Sequence, residues 1–167
     1  MWLKGALIGQ GHTVWLPQLP DADKPSAAAY TKFLLSNDTF TYDDQTVIIG
    51  HSSGAVAALY LLQHLPETIS IKAEILVSTF KDDLGWDSLK GLFAEPLDFD
   101  AIKNHCPRFI LVHSDDDPYV PTEQAEFVAD NIDGELMILE GQGHFNTELS
   151  PDYKQFPELL DIIDDII

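Results

Sequence analysis

The sequence predicts an α/β fold in which a mostly parallel sheet lies between two layers of helices. Apolar segments alternate along the chain with segments of helical period, which is typical of strand–helix units. Most of the apolar segments are continuous runs, as expected for parallel strands that are covered on both faces. With 167 residues and 45% hydrophobic content, the chain can bury one core. We therefore expect a three-layer sandwich that forms a single domain over residues 1–167.

Five short apolar runs are candidates for the strands. The predicted strands lie at residues 13–16, 46–49, 74–78, 108–112 and 135–139. Helices are predicted between them, and the chain opens inside a further helix near Trp2. The other predicted helices lie at residues 25–35, 53–65, 100–105, 122–131 and 157–167. In the first of these, Tyr30, Phe33 and Leu34 share one apolar face.

Residues 50–54 read Gly-His-Ser-Ser-Gly and connect the second predicted strand to a helix rich in Ala and Leu. A Gly-x-Ser-x-Gly pattern in this setting predicts a sharp turn that holds Ser52 in a strained backbone conformation with its hydroxyl exposed. We expect Gly50 and Gly54 to be glycines because a Cβ at either position would clash. The pattern favours Ser52 as a nucleophile over an ordinary surface serine.

A nucleophilic serine needs a base and a residue that orients the base, in the chain order Ser, Asp or Glu, His in α/β-hydrolases. Carboxylates at residues 115–117 follow the fourth predicted strand, and His144 follows the fifth. Both positions lie at the carboxyl ends of strands, where such folds keep their active sites. The spacing alone does not choose among Asp115, Asp116 and Asp117.

A metal site built from His113 and the three aspartates is a weaker alternative, because the spacing matches no dedicated ligand motif. We expect neither a metal nor a cofactor.

The chain resembles the small single-domain serine hydrolases typified by retinoblastoma-binding protein nine, which are α/β-hydrolases. The resemblance covers nearly all of the chain from about Trp2 onward. It is carried by residues 20–21 (Pro-Asp), 48–55 (Ile-Ile-Gly-His-Ser-Ser-Gly-Ala), 75–78 (Ile-Leu-Val-Ser), 100–103 (Asp-Ala-Ile-Lys), 114–121 (Ser-Asp-Asp-Asp-Pro-Tyr-Val-Pro) and 143–146 (Gly-His-Phe-Asn). In that family the acid directly precedes the proline, so the resemblance implies Asp117 as the partner of His144.

The same resemblance implies an apolar strand and a glycine-rich loop ahead of the helix near Trp2. This chain has neither, and we expect an N-terminally truncated α/β-hydrolase fold in which residues 13–16 and 46–49 pair directly. The absent loop normally supplies one of two oxyanion-hole donors. The backbone N–H of Ser53 is the second donor, and it is present.

Residues 80–99 show neither a helical nor a strand period. Two interpretations stay open: a short lid whose aromatic side chains line an acyl or aryl pocket, or a loop that packs its own apolar cluster. On the first interpretation Trp86 and Phe93 are substrate-binding residues. His51, beside the nucleophile, is a third candidate.

The net charge of −19 comes from 28 acidic and 9 basic residues. Such a field disfavours nucleic acid and anionic membranes as partners, and also anionic substrates. No apolar run is long enough for a membrane span. The single cysteine, Cys106, fits a reducing compartment, so we expect a cytoplasmic protein.

The sequence thus predicts a serine hydrolase that cleaves a small carboxylic ester, or an amide, through Ser52, Asp117, His144 and an acyl-enzyme. The alternative is a catalytically impaired, truncated member of the family that acts as a binding protein. The family's namesake partnership requires a Leu-x-Cys-x-Glu segment, and the chain has none. We expect a small-molecule substrate and no retinoblastoma-type partner.

Overall fold

The computed structural model of the chain describes residues 2–167. The α-helices are α1 (Trp2–Gly9), α2 (Ala27–Leu35), α3 (Ser53–Gln63), α4 (Phe99–His105), α5 (Thr122–Ile132) and α6 (Pro157–Asp164). The strands are β1 (Val47–His51), β2 (Ala73–Val77), β3 (Phe109–Ser114) and β4 (Glu135–Leu139). Two 3₁₀ helices are also present, Asp87–Phe93 and Pro151–Lys154.

The four strands form one parallel sheet in the order β1-β2-β3-β4. In the register, Gly50 of β1 faces Leu76 of β2, and Leu76 faces Leu111 of β3. The α/β class and the parallel sheet predicted from the apolar runs are confirmed. Because all four strands run the same way, the residues that follow them meet at one edge of the sheet.

Residues 13–16 form no strand, so the first predicted strand is wrong. The expectation that this segment pairs directly with β1 is wrong as well, since β2 is the only strand that pairs with β1 in the part of the chain that is described. Thr13, Val14 and Trp15 are residues with a high strand propensity. That propensity produces a strand only where a neighbouring strand completes the hydrogen-bond ladder.

Residues 80–99 pack into the apolar core instead of lying apart from it. Phe80 and Leu92 are buried in a cluster with α2 and α3 that includes Tyr30 and Tyr60, and Phe93 packs against the same cluster. The 3₁₀ helix Asp87–Phe93 carries Leu92 and Phe93. The segment therefore behaves largely as the packed loop of the second interpretation, with Trp86 left 48% exposed.

Glu74 of β2 is a polar exception within the core. Its side chain is fully buried, and neither carboxylate oxygen has a hydrogen-bond partner within residues 2–167. Burial raises the pKa of Glu74 well above its usual range, because the charged form is poorly solvated there. Burial therefore favours the neutral acid over the carboxylate at this position.

The chain divides into two compact units. One comprises residues 19–144 and holds the sheet with α2 to α5. The other comprises the residues up to Gln18 together with residues 145–167, and it holds α1 and α6. Within this second unit Gln10 donates from Nε2 to Oδ1 of Asp164 at 3.0 Å. A single domain over residues 1–167 stays a prediction.

Candidate active site

Ser52 lies in the one-residue turn between β1 and α3. Its backbone has φ 55° and ψ −125°, a conformation that non-glycine residues rarely adopt and that costs about 1–3 kcal/mol. Hydrogen bonds hold the turn in place: the amide of Ser52 donates to the carbonyl of Val77 at 2.9 Å, and its carbonyl accepts from Ala55 at 2.9 Å. This is the strained strand–turn–helix geometry that the sequence pattern predicts.

The two glycines that flank this turn have different roles. A Cβ on Gly50 would lie 2.5 Å from Cα of Ala55 and 2.6 Å from the carbonyl oxygen of Gly54, both backbone atoms that cannot easily move. A Cβ on Gly54 would meet nothing within 4 Å. The expectation of a clash is therefore met at Gly50 and is wrong at Gly54, because Gly54 already lies in the first turn of α3.

Ser53 is the first residue of α3. Its backbone N–H is one of the N-terminal amides that have no acceptor within the helix, and it lies at the positive end of the helix dipole. The amide is therefore suited to hold a negative oxygen next to Ser52.

Asp117 and His144 form a close, buried pair. His144 donates from Nδ1 to Oδ2 of Asp117 at 2.7 Å, and the two side chains are 7% and 0% exposed. The other carboxylate oxygen of Asp117 accepts from the backbone amides of Tyr119 at 2.9 Å and Val120 at 3.0 Å. With Nδ1 committed to Asp117, Nε2 of His144 is left as the proton acceptor.

Two opposing effects act on the pKa of Asp117. Burial raises it, but the hydrogen bonds from His144 and from the amides of Tyr119 and Val120 outweigh burial and hold the pKa of Asp117 below its usual range. Asp117 is therefore a carboxylate at neutral pH, which is the state that can orient an imidazole and stabilise its cation.

Asp115 and Asp116 do not face His144; with Ser114 they hold the loop that carries it. The backbone amide of Gly141 donates to Asp115 Oδ1 at 2.8 Å, and that of Gly143 to Asp116 Oδ1 at 2.7 Å. Between these two, the amide of Gln142 donates to Ser114 Oγ at 2.8 Å. The three adjacent aspartates therefore divide into one partner of the histidine and two supports of its loop.

His51 links the nucleophile turn to His144. Its Nε2 donates to the carbonyl oxygen of His144 at 2.8 Å, and the two ring centroids lie 4.8 Å apart. Desolvation lowers the pKa of the His51 ring, so the ring is neutral at pH 7. The structure thus brings the residue next to Ser52 into contact with His144.

His113, the last residue but one of β3, is fully buried and stabilises the loop of Asp117 instead of joining a metal site. Its Nε2 donates to the carbonyl of Val120 at 2.9 Å. Burial lowers the pKa of His113, so that its ring too is neutral at pH 7. Among residues 2–167, no group of three or more His, Cys, Asp or Glu side chains is arranged to hold a metal ion.

Trp86 and Phe93, the two aromatic residues predicted to bind substrate, have different surroundings. Trp86 packs edge-on against Tyr119 with ring centroids 6.2 Å apart, and Tyr119 in turn packs edge-on against His144 at 5.1 Å. Phe93 packs against Phe80 of the core at 5.8 Å. The structure therefore connects Trp86, but not Phe93, to His144 through aromatic contacts.

Sequence reasoning missed the roles of Ser78 and Tyr119. Ser78 follows β2 directly, is fully buried, and donates from Oγ to Oδ2 of Asp117 at 2.9 Å. Its position as the last residue of the predicted strand 74–78 was the available signal, since the other site residues also lie at or after the ends of strands. Tyr119 lies two residues after Asp117, within the loop that the resemblance had already singled out.

No helix within residues 2–167 is both long enough and apolar enough to cross a membrane.

Comparisons with known proteins found a matching family model and several similar proteins. A family model described as serine hydrolase matches residues 11–165. The chain is 42% identical over 109 residues to the serine hydrolase RBBP9 of Rattus norvegicus; the match covers 64% of this chain and 56% of the rat protein. It is 28% identical over 145 residues to the putative hydrolase YdeN of Bacillus subtilis, covering 86% of this chain and 76% of that protein.

Among solved structures, the crystal structure of the ydeN gene product from B. subtilis superimposes with a TM-score of 0.87 at 25% identity. That match covers 99% of this chain and 88% of the other. An α/β-hydrolase-like fold is thereby established. The chain spans little more than half the length of the rat relative.

Proposed function

The chain belongs to the serine hydrolase family, and from this premise we propose that it hydrolyses a small, neutral carboxylic ester through Ser52, Asp117 and His144. The observation that carries the proposal is the 2.7 Å hydrogen bond from His144 Nδ1 to a buried Asp117 carboxylate, at the sheet edge where the strained turn of Ser52 also lies. These are the three roles that nucleophilic serine catalysis requires: nucleophile, base and a group that orients the base.

In the first half of the reaction, Nε2 of His144 takes the proton of the Ser52 hydroxyl while Oγ attacks the ester carbonyl carbon. The carbonyl oxygen becomes an oxyanion, and the N–H of Ser53 at the start of α3 donates to it. The C–O bond to the alcohol then breaks, and the proton on His144 passes to the departing alcohol oxygen. The product of this half is an acyl group on Ser52.

In the second half, His144 takes a proton from water, and the resulting hydroxide attacks the acyl carbon. The bond to Ser52 Oγ breaks and the proton returns to the serine. Asp117 stays ionised throughout and stabilises the imidazolium that forms in each half. Every proton transfer in this scheme uses a group of the chain itself or the attacking water, so we propose that no metal or cofactor takes part.

The charge of the protein supports a neutral substrate. A net charge of −19 repels carboxylate- or phosphate-bearing esters, and it likewise argues against nucleic acid and anionic membranes as partners. The single, buried Cys106 is consistent with a cytoplasmic protein.

A fluorophosphonate probe tests the nucleophile, because it forms a covalent bond only with an activated serine. We expect labelling of the wild-type protein at Ser52 and release of p-nitrophenol from p-nitrophenyl acetate, with acetyl-Ser52 detected by mass spectrometry. Ser52→Ala should lose both the labelling and the release of p-nitrophenol. Ser36 lies at the exposed end of α2, and Ser36→Ala should keep both. Labelling at another serine would refute the assignment, and turnover of p-nitroacetanilide at a comparable rate would change the substrate class to amides.

A further inference from the structure

A rigid turn at residues 82–86 presents Trp86 next to the candidate active site. The carboxylate of Asp82 accepts from the amide of Leu84 at 3.0 Å, and that of Asp83 accepts from the amide of Gly85 at 2.9 Å. The amide of Trp86 donates to the carbonyl of Asp83 at 2.7 Å. Leu84 and Gly85 both have positive φ, 53° and 75°. These bonds fix the direction in which the chain enters Trp86.

The turn is also fixed to α5. Gln124 donates from Nε2 to both carboxylate oxygens of Asp82, each at 3.1 Å, and its Oε1 accepts from the amide of Lys81 at 2.9 Å. One side chain of α5 thus binds both the start of the turn and the aspartate that shapes it. Such an arrangement fixes the backbone that carries Trp86 before any ligand arrives.

Trp86 itself is 48% exposed. It packs edge-on against Tyr119 at 6.2 Å, with an interplanar angle of 79°, and Tyr119 packs edge-on against His144 at 5.1 Å and 88°. An aromatic surface therefore runs outward from the imidazole. We call Trp86 and Tyr119 the aromatic wall.

The chemistry of the proposed reaction decides which half of an ester meets this wall. When the tetrahedral intermediate collapses, the bond from the carbonyl carbon to the alcohol oxygen breaks, and His144 delivers its proton to that oxygen. The alcohol oxygen must therefore lie within hydrogen-bond distance of His144. The carbon group attached to the alcohol oxygen therefore begins beside the imidazole of His144, and this imidazole also contacts Tyr119.

We propose that the aromatic wall is the subsite for the alcohol half of the ester, and that it selects a flat, uncharged aryl or arylmethyl alcohol. The inference rests on the proposed function, since it takes His144 as the proton donor to the departing alcohol. Aromatic side chains bind flat rings by stacking and edge-to-face contacts. Near Trp86 in the chain, Asp82 pairs with Lys81 and Asp87 with Lys90, which leaves Asp83 and the net charge of the protein to disfavour an alcohol that carries negative charge.

The test compares acetate esters of alcohols with similar acidity, so that only the shape of the leaving group changes: methyl, benzyl and naphthylmethyl acetate. In the wild-type protein kcat/KM should rise along this series. Trp86→Ala should lower kcat/KM for benzyl and naphthylmethyl acetate about tenfold and change it less than about twofold for methyl acetate. Trp86→Phe should restore most of the loss because it keeps a flat ring.

A second measurement separates this subsite from a structural effect or an acyl pocket. All three esters give the same acetyl-Ser52 after the alcohol has left, so its decay to free enzyme, followed by mass spectrometry, should have the same rate in wild type and Trp86→Ala. Ile138 is a similarly exposed apolar residue on β4. Ile138→Ala should alter neither kcat/KM for the three esters nor the decay rate of acetyl-Ser52.

If Trp86→Ala lowers kcat/KM equally for all three acetates, or slows the decay of acetyl-Ser52, the proposed subsite is wrong. Either result is compatible with the proposed hydrolase activity. A wild-type protein that forms no acetyl-Ser52 would overturn the proposed function, and the subsite with it.

Discussion

Ser78 donates a hydrogen bond from its Oγ to Oδ2 of Asp117 at 2.9 Å, the same oxygen that accepts from Nδ1 of His144 at 2.7 Å. With the two backbone amides on its other oxygen, Asp117 has four donors and no free direction in which to rotate. A carboxylate held in this way keeps the imidazole in a single orientation. We therefore propose that Ser78 is a positioning residue that acts through Asp117.

Replacing Ser78 should reduce turnover without weakening substrate binding. We expect Ser78→Gly to lower kcat for p-nitrophenyl acetate about tenfold with little change in KM, because one charge-assisted hydrogen bond to Asp117 is lost. Ser78 has φ 49°, which glycine adopts without strain, so this variant should fold normally. Ser78→Ala should lose the same activity and also some thermal stability. An unchanged kcat in both variants would contradict the positioning role.

The three adjacent aspartates should respond differently to the same substitution. Asp117→Asn should lower kcat about 10⁴-fold, because an amide in place of the carboxylate reverses the hydrogen bond and leaves His144 in the wrong tautomer. Asp115→Asn and Asp116→Asn should have mild effects, since an amide oxygen still accepts from the glycine amides of the loop. Asp116→Ala should be worse than Asp116→Asn. Steady-state kinetics on one ester checks the order, and a severe Asp116→Asn effect would contradict it.

The two glycines of the nucleophile turn provide a matched pair for a stability test. Gly50→Ala should destabilise the protein by about 1–3 kcal/mol or prevent folding, because its Cβ would meet the backbone of Ala55 at 2.5 Å. Gly54→Ala should be neutral or stabilising by up to about 1 kcal/mol, because its Cβ has open space in a helical turn. Thermal unfolding of both variants measures the difference, and equal losses would contradict the geometry of the turn.

Glu74 should make the protein less stable as the pH rises. The pKa of Glu74 is raised in the folded protein, so above about pH 4.5 the unfolded chain loses this proton while the folded protein keeps it. The free energy of unfolding then falls by up to about 1.4 kcal/mol per pH unit from this group, until the pH reaches its folded pKa.

Glu74→Gln removes that titration and keeps the shape of the side chain. We expect the stability advantage of this variant over the wild type to grow between pH 5 and pH 8. Denaturant unfolding across this range checks the prediction, and a constant difference would show that Glu74 does not titrate as its burial requires.

The sequence was sufficient for the parts of the fold that depend on local pattern. Continuous apolar runs identified four parallel strands, and β4 was predicted with its observed bounds, Glu135–Leu139. The turn of Ser52 followed from the Gly-x-Ser-x-Gly pattern between a strand and a helix, in which Gly50 lies against the backbone of the nearby Ala55. Residues 13–16 show the limit of this reasoning: their composition favours a strand, but a strand also needs a partner that composition does not reveal.

The candidate site, like the fold, could be predicted from the sequence only where it depends on local pattern. Residue types and their order along the chain were enough to single out Ser52, His144 and a group of three carboxylates. Only a resemblance chose Asp117 among them, because the choice depends on which carboxylate points at the imidazole. Ser78 and Tyr119 act through contacts between segments far apart in sequence, 39 residues apart for Ser78 and Asp117. Such contacts leave no periodic signal.

The hydrogen bonds of the loop at residues 141–143 have a consequence for the entropy changes of the proposed reaction. Its three successive backbone amides all donate to side-chain oxygens of residues 114–116. Gly141 and Gly143 have φ of 70° and 59°, values that glycine adopts without strain, and they permit this tightly bonded loop. The conformational entropy of this loop is therefore lost once, when the chain folds, and not again in each cycle of the proposed reaction. Deuterium uptake at these amides should be slow and should stay the same when an inhibitor occupies the site.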